Sequence, residues 1–324
     1  MKPVARLLLF SMLSCAAPTV LAASGAAAEY PNRPIRFIVP FVPGGPSDTL
    51  SRLLGQKLSE SWGQTVVIDN RGSAGGIIGF ELGAKAPPDG YTLLLANGAG
   101  VTINPSVFLK LPYDAARDFQ PITQVTSGAY FMVVPYSLPA KTVSEFIALA
   151  KSKPGGLNFA TTGTNNLIAA EHFNHMAGIK MVAINYKGTG QAVSAVISGE
   201  VQMFVMSPLV AVPQVKAGKL RAIGVTGLKR SPVLPDVPAI AETLPGYENI
   251  TWHSVMAPAK TPKPIVAKLS KELMRIIRQP DVQERFASVG LDAVGSTPEE
   301  LAALIKKEMV MYANLVKQIG LKPQ

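Results

Sequence analysis

Residues 35–62 read IRFIVPFVPGGPSDTLSRLLGQKLSESW, and their order decides the fold class. Residues 35–41 are a short apolar run rich in β-branched and aromatic side chains, which predicts a strand. The turn Pro43-Gly44-Gly45-Pro46-Ser47-Asp48 breaks the run. From Thr49 to Trp62 an amphipathic helix pattern follows. A strand feeding a helix through a glycine turn is half of a β-α-β unit, so the question is whether the alternation continues.

It does. Residues 66–70 predict a strand, 77–85 a helix and 91–96 a strand. A second series places strands near 131–134, 158–161, 180–184, 201–206 and 221–226, with helices at 143–151, 167–176 and 191–198 between them. Such alternation implies mostly parallel sheets, here in two α/β lobes. The last third differs: Pro258, Pro262 and Pro264 open a helix running to about Arg278, and Thr297-Pro298-Glu299-Glu300 opens another running to about Gln318. Thr297 suits an N-cap, Pro298 the first helical position, and the two glutamates the positive helix end.

The chemistry concentrates in the turns. Glycines in the first turn let a ligand approach the main chain, whose free amides and helix end attract an anion without a charged side chain. Ser47 adds a hydroxyl, and Asp48 closes the turn. A second such turn, Phe159-Ala160-Thr161-Thr162-Gly163-Thr164-Asn165-Asn166, leads from a strand into a helix in the other half of the chain. Facing each other across a cleft, the two turns would bracket a small anion. Taken singly, each is equally explained by helix capping and turn geometry. Gly72, Gly75, Gly76 and Gly79 lack the spacing and acidic partner of a dinucleotide fingerprint.

Composition narrows the classes further. The chain has 324 residues, 48% apolar and 16% charged, as expected of a packed globular protein. Its net charge of +10 favours anionic ligands, but the basic residues are scattered, so nucleic-acid binding is not expected. Lys2 and Arg6 precede an apolar run at residues 7–13 and small residues, with cleavage expected at Ala22 or Ala28. This is a secretory signal pattern over residues 1–28, too short for a spanning helix of about 20 residues. The single cysteine, Cys15, lies inside it, so the mature chain would carry no thiol or disulfide. Met12-Leu13-Ser14 is a poor match to a lipid-anchor signal at that cysteine. His172 and His175 stand three apart without a third ligand, and no metal or other cofactor is expected. No nucleophile elbow or serine, histidine and acid set is present, which argues against an enzyme.

Several segments in one order resemble the Bug-type extracytoplasmic receptors of tripartite tricarboxylate transporters. They are Tyr30-Pro31-Asn32-Arg33-Pro34-Ile35, Val39-Pro40-Phe41-Val42-Pro43-Gly44-Gly45 and Asp69-Asn70-Arg71-Gly72-Ser73-Ala74-Gly75-Gly76. Residues 84–94 (AKAPPDGYTLL) and the terminal Thr297-Pro298-Glu299-Glu300 segment complete the match, which spans nearly the whole mature chain. The resemblance implies a type II periplasmic-binding-protein fold, with lobe 1 from residues 29–124 and 225–324, lobe 2 from 125–224, and a ligand closed between them. It implies that Phe41, Val42, Gly44, Gly45 and Ser47 of the first turn, and Thr161, Thr162, Gly163 and Thr164 of the second, hold a ligand carboxylate. It further implies a periplasmic monomer that delivers its ligand to a membrane permease.

Departures from the family bear on specificity. Relatives place a histidine after the second turn, where this chain has Asn165-Asn166-Leu167, and often an aspartate after Phe204, where this chain has Val205. That aspartate would receive an ammonium group, so its absence favours a carboxylate without an amine. Ser207 remains as a polar handle, and His253, beside Trp252, is a candidate donor to a second carboxylate or a structural histidine. A sensor of the same ligands, or an enzyme using the glycine turns for phosphate, are the other classes considered.

Overall fold

The computed structural model describes residues 29–323; the predicted signal segment, its cleavage sites and Cys15 lie outside the described residues. Two mixed sheets organise the molecule. In the first, β1 (Ile35–Val39) lies between β2 (Val66–Asn70) and β3 (Thr92–Asn97), parallel to both. Helix α1 (Pro46–Trp62) makes the β1 to β2 crossover and α2 (Ile77–Ala84) the next. Leu50, Leu54 and Leu58 recur one turn apart on α1 and are buried under the sheet, and Gly63 stops the helix in a left-handed cap at φ 65°.

After β3 the chain makes a π-turn at Ala99–Ile103 and a single helical turn, α3 (Asn104–Val107). Glycines admit the close packing there: a methyl group on Gly98 would stand 2.8 Å from the Trp252 ring, and one on Gly100 2.0 Å from that of Phe80. The long strand β4 (Phe119–Ala129) then leads into β5 (Phe131–Pro135) of the second sheet with only Tyr130 between them.

The second sheet repeats the plan. Strand β6 (Asn158–Thr161) follows α4 (Val143–Ser152); α5 (Thr164–Ala177), β7 (Val182–Asn185), α6 (Thr189–Ser198), β8 (Met203–Met206), α7 (Pro208–Lys216) and β9 (Leu220–Val225) complete it, in the order β7-β6-β8-β5-β9. Strand β10 (Ile250–Pro258) returns to the first sheet, followed by α8 (Lys263–Ile277), α9 (Pro280–Ala287), the short β11 (Asp292–Ala293) and α10 (Pro298–Gln318). The first sheet therefore reads β11-β4-β10-β3-β1-β2.

Two expectations need correction. The sheets are mixed: β10 runs antiparallel to β3 and β4, and β5 antiparallel to β8 and β9. Antiparallel pairing is required because strands entering from the other sheet arrive at the opposite end. Residues 239–247, placed with the first lobe by sequence, instead bury Ile240 and Tyr247 in the second sheet's core, and the Tyr247 hydroxyl donates to Ala169 O at 2.9 Å.

The two crossings are stitched together at Thr226, which is fully buried. Its hydroxyl accepts from Tyr130 N at 2.8 Å and donates to Asn249 O at 2.5 Å, while its own amide donates to Tyr130 O at 2.9 Å. Both chain passages between the sheets thus share one hydrogen-bonded point. Apolar cores flank each sheet separately, as two α/β layers require. Among the described residues no helix is long and apolar enough to cross a membrane.

Candidate ligand-binding site

The cavity between the sheets is about 90 Å³, room for a small molecule only. It is built from four helix N-termini. Gly45 precedes α1, Gly163 precedes α5, Gly188 precedes α6 and Ser207 precedes α7; all four line the cavity, and none makes a side-chain capping bond. A helix leaves its first amides without intrahelical partners and carries a partial positive charge there, so four such ends around one space form a strongly anion-favouring site.

The turns meet across the gap. A methyl group on Gly188 would stand 2.8 Å from Val42 Cγ2, one on Gly45 3.6 Å from Thr189 Oγ1, and one on Gly163 4.0 Å from Phe41 Cε1. Phe41, Val42, Gly45, Ser47, Thr162, Gly163, Thr164, Ser207 and His253 all line the cavity. Gly44 and Thr161 do not. The Gly44 amide donates to Asp48 Oδ2 at 3.0 Å, and Gly44 itself sits at φ 83°, where a β-carbon is unfavourable. The Thr161 hydroxyl donates to Gly163 O at 2.9 Å, so both residues shape their turns from behind.

Asp48 is buried and braces the first turn, paired with Arg52 at 3.0 Å. Burial alone would raise its carboxyl, but the bonds from Arg52 and Gly44 outweigh that and hold it below its ordinary value. In the second turn Asn166 does the bracing: its Oδ1 accepts from the Thr162 hydroxyl at 2.9 Å and its Nδ2 donates to Val205 O at 2.7 Å. Thr164 reaches the other sheet's elements, donating to Asn104 Oδ1 at 2.7 Å.

His253 is 4% exposed and meets Thr126 Oγ1 through Nδ1 at 3.4 Å. Burial pushes its pKa down to about 4, so at neutral pH it is an uncharged hydrogen-bonding group rather than a cation. Behind it Trp252 Nε1 donates to Glu308 Oε2 at 2.8 Å, fixing α10 to the sheet. The Ser207 hydroxyl is buried, belongs to the cavity lining and has no hydrogen-bond partner among the described residues. Burial of an unsatisfied hydroxyl is costly, which marks Ser207 as a group set to meet a ligand.

Sequence patterns missed Lys187 and the Gly188-Thr189 turn as site residues, along with Asn97, Tyr130 and Thr251. Glycine and threonine before the apolar run of α6 carried a usable signal, the same one as in the other turns. Tyr130 and Thr251 carried none, because they enter the cavity only through the sheet crossings. Among the described residues the lining contains no aspartate or glutamate, and Lys187 is its only lysine or arginine.

The sequence profile of the tripartite tricarboxylate transporter family receptors matches residues 50–321. The chain belongs to that family. Among individual relatives of this receptor, protein BugT of Bordetella pertussis is 34% identical over 306 residues, covering 93% of this chain and 94% of its own. The solved structure of R. palustris Rpa4515 with adipate is 30% identical with a TM-score of 0.89, covering 91% of this receptor and all of its own chain. MatC from Rhodopseudomonas palustris with bound malate is 32% identical with a TM-score of 0.84, covering 89% of this receptor and all of MatC. The receptor has the two-lobed periplasmic-binding-protein architecture of these structures.

Proposed function

We propose that this receptor captures a small carboxylate lacking an amine outside the cytoplasm and hands it to a membrane permease. The observation that carries this is the convergence of four uncapped helix N-termini on a cavity with no acidic side chain in its lining. An ammonium group would enter that positive potential with no carboxylate to pair with, whereas a carboxylate replaces water at amides already aimed inward. Neighbours with adipate and malate bound support the same ligand class.

The site assigned to this task comprises Phe41, Val42, Gly45, Ser47, Thr162, Gly163, Thr164, Ser207 and His253, with Lys187, Gly188 and Thr189 added. Gly44 and Thr161 act as supports. The first lobe comprises residues up to Ala129 and from Ile250, and the second lies between them. Ligand contacts to both lobes exist together only in the closed form, so binding shifts the open–closed equilibrium toward closure, the form the permease receives. No chemistry on the ligand is required. Export by the N-terminal signal segment would put the receptor in the periplasm.

Thermal unfolding tests the proposal, because a ligand that binds only the folded state stabilises it by about 2.7 kcal/mol at a hundredfold excess over Kd. Adipate, malate and succinate are to be compared with aspartate, glutamate and phosphate esters. A raised midpoint with one or more of the plain carboxylates and none with their amino counterparts is expected. A response to aspartate alone, or to phosphate esters alone, would overturn the assignment.

A further inference from the structure

A second concave surface lies far from the cavity, between α8 and the start of α10. It is a groove of about 840 Å³ whose lining includes the apolar Val266, Ala267, Met274 and Pro298. The same lining carries Lys263, Lys271, Arg275 and Arg278, all exposed, against one acidic residue, Glu299. Arg275 is held by Glu272 at 2.6 Å, whereas Lys263, Lys271 and Arg278 have no ion-pair partner among the described residues. Lys263 and Lys271 on α8 and Arg278 at its C-cap fall on one side of the helix, spread over about 22 Å at 1.5 Å per residue. Charges so arranged repel one another, and nothing in the ligand cavity uses them.

We propose that this groove docks an acidic, partly apolar segment of the permease, an inference that rests on the receptor assignment above. Charge complementarity sets the sign of the partner: three unpaired cations along one line call for a row of carboxylates. The shape sets its kind. A concave trough lined by apolar as well as basic side chains accepts a polypeptide segment, about seven residues if extended at 3.3 Å each. A flat lipid surface meets only the rims of a concave trough. Gln120 lines the groove at one end of β4, and Ala129 ends that strand beside the crossing to the other sheet, about 30 Å away along the strand. The groove therefore belongs to one lobe and keeps its shape when the lobes close. It anchors the receptor in either state, and recognition of closure falls to contacts elsewhere.

The test is binding of the carboxylate-loaded receptor to its permease reconstituted in phosphatidylcholine vesicles, with protein-free phosphatidylglycerol vesicles as the lipid arm. The variant Lys263→Glu/Lys271→Glu/Arg278→Glu is expected to weaken permease binding by at least about tenfold. Ala267→Trp, which adds bulk to the groove lining without changing charge, is expected to weaken it too. Wild-type binding should fall as salt shortens the Debye length from about 30 Å to about 8 Å. Permease binding by the triple variant at wild-type strength overturns the proposal. So does a groove-dependent affinity for phosphatidylglycerol vesicles with permease binding unaltered, which would make the groove a lipid site. The carboxylate-induced thermal shift, measured on the same variants, separates the two ideas. Its absence in the wild type would sink the ligand assignment, while its persistence in a variant that no longer docks isolates the groove.

Discussion

Helix α10 starts on Thr297, whose hydroxyl accepts from Glu300 N at 3.2 Å while the Glu300 carboxylate accepts from Thr297 N at 2.8 Å. Helix α4 is closed the same way by Thr142, which accepts from Glu145 N at 3.2 Å. The helices around the cavity start instead on Gly45, Gly163, Gly188 and Ser207, with no side chain closing the end. In the first group the protein satisfies its own helix ends and gains stability; in the second it leaves donors for something else. Helices α8 and α9, away from the cavity, also start without a side-chain cap, so it is the convergence of four open ends on one space that sets the cavity apart.

The largest effect should come from the cavity wall itself. His253 is driven to a pKa of about 4 by burial, below its ordinary value near 6.5. A depressed histidine pKa means that the unfolded chain binds the extra proton first on acidification. Its contribution to stability is therefore intact above about pH 6.5 and is lost as pH falls toward 4, by up to about 3 kcal/mol. Denaturant midpoints between pH 7 and 4 should fall steeply in the wild type and less in His253→Asn.

Closure offers a sharper contrast. The Gly188 backbone is extended, at φ −165°, so a side chain there adds no strain of its own. Its β-carbon would nevertheless press on Val42, 2.8 Å away where the two turns meet. Gly188→Val should weaken carboxylate binding by about 10- to 100-fold, the usual cost of overpacking, while the unliganded protein unfolds at its normal temperature. Unchanged affinity would mean that the turns do not close on the ligand.

Two smaller changes set the two kinds of helix start directly against each other. Thr297→Ala should cost about 1 kcal/mol of stability and leave ligand affinity alone. Ser207→Ala should do the reverse: affinity falls about two- to tenfold, and the unliganded protein is at least as stable, since an unsatisfied buried hydroxyl has gone. If Ser207→Ala destabilises as much as Thr297→Ala does, Ser207 is an ordinary cap and the distinction fails.

The same distinction explains what was legible in the sequence. Helices α8 and α10 were located closely by their proline and capping signals, because those signals exist to stop and start helices. Around the cavity the predicted helices began late: at Thr49 rather than Pro46, Leu167 rather than Thr164, and Gln191 rather than Thr189. Apolar periodicity reports the face that packs on the sheet, and the first turn of each helix has no such face. The residues so missed are the ones that bound the cavity. Strands β4 and β10 escaped notice for another reason: Pro121 and Gly128 interrupt β4, and register shifts at His253/Ser254 and Val255/Met256 break the alternation that marks a strand. The two-lobed α/β plan was visible, whereas its antiparallel connections depend on pairings between residues 71 or more positions apart.

The stitch at Thr226 has a mechanical consequence. Two strands that pass between bodies at separate points would allow the bodies to slide as well as turn. Tied at one shared point, they leave rotation as the cheap motion and make translation cost hydrogen bonds at Tyr130 and Asn249. Lobes that open and close as proposed would return to one registration each time, bringing the same amides together around whichever molecule arrives.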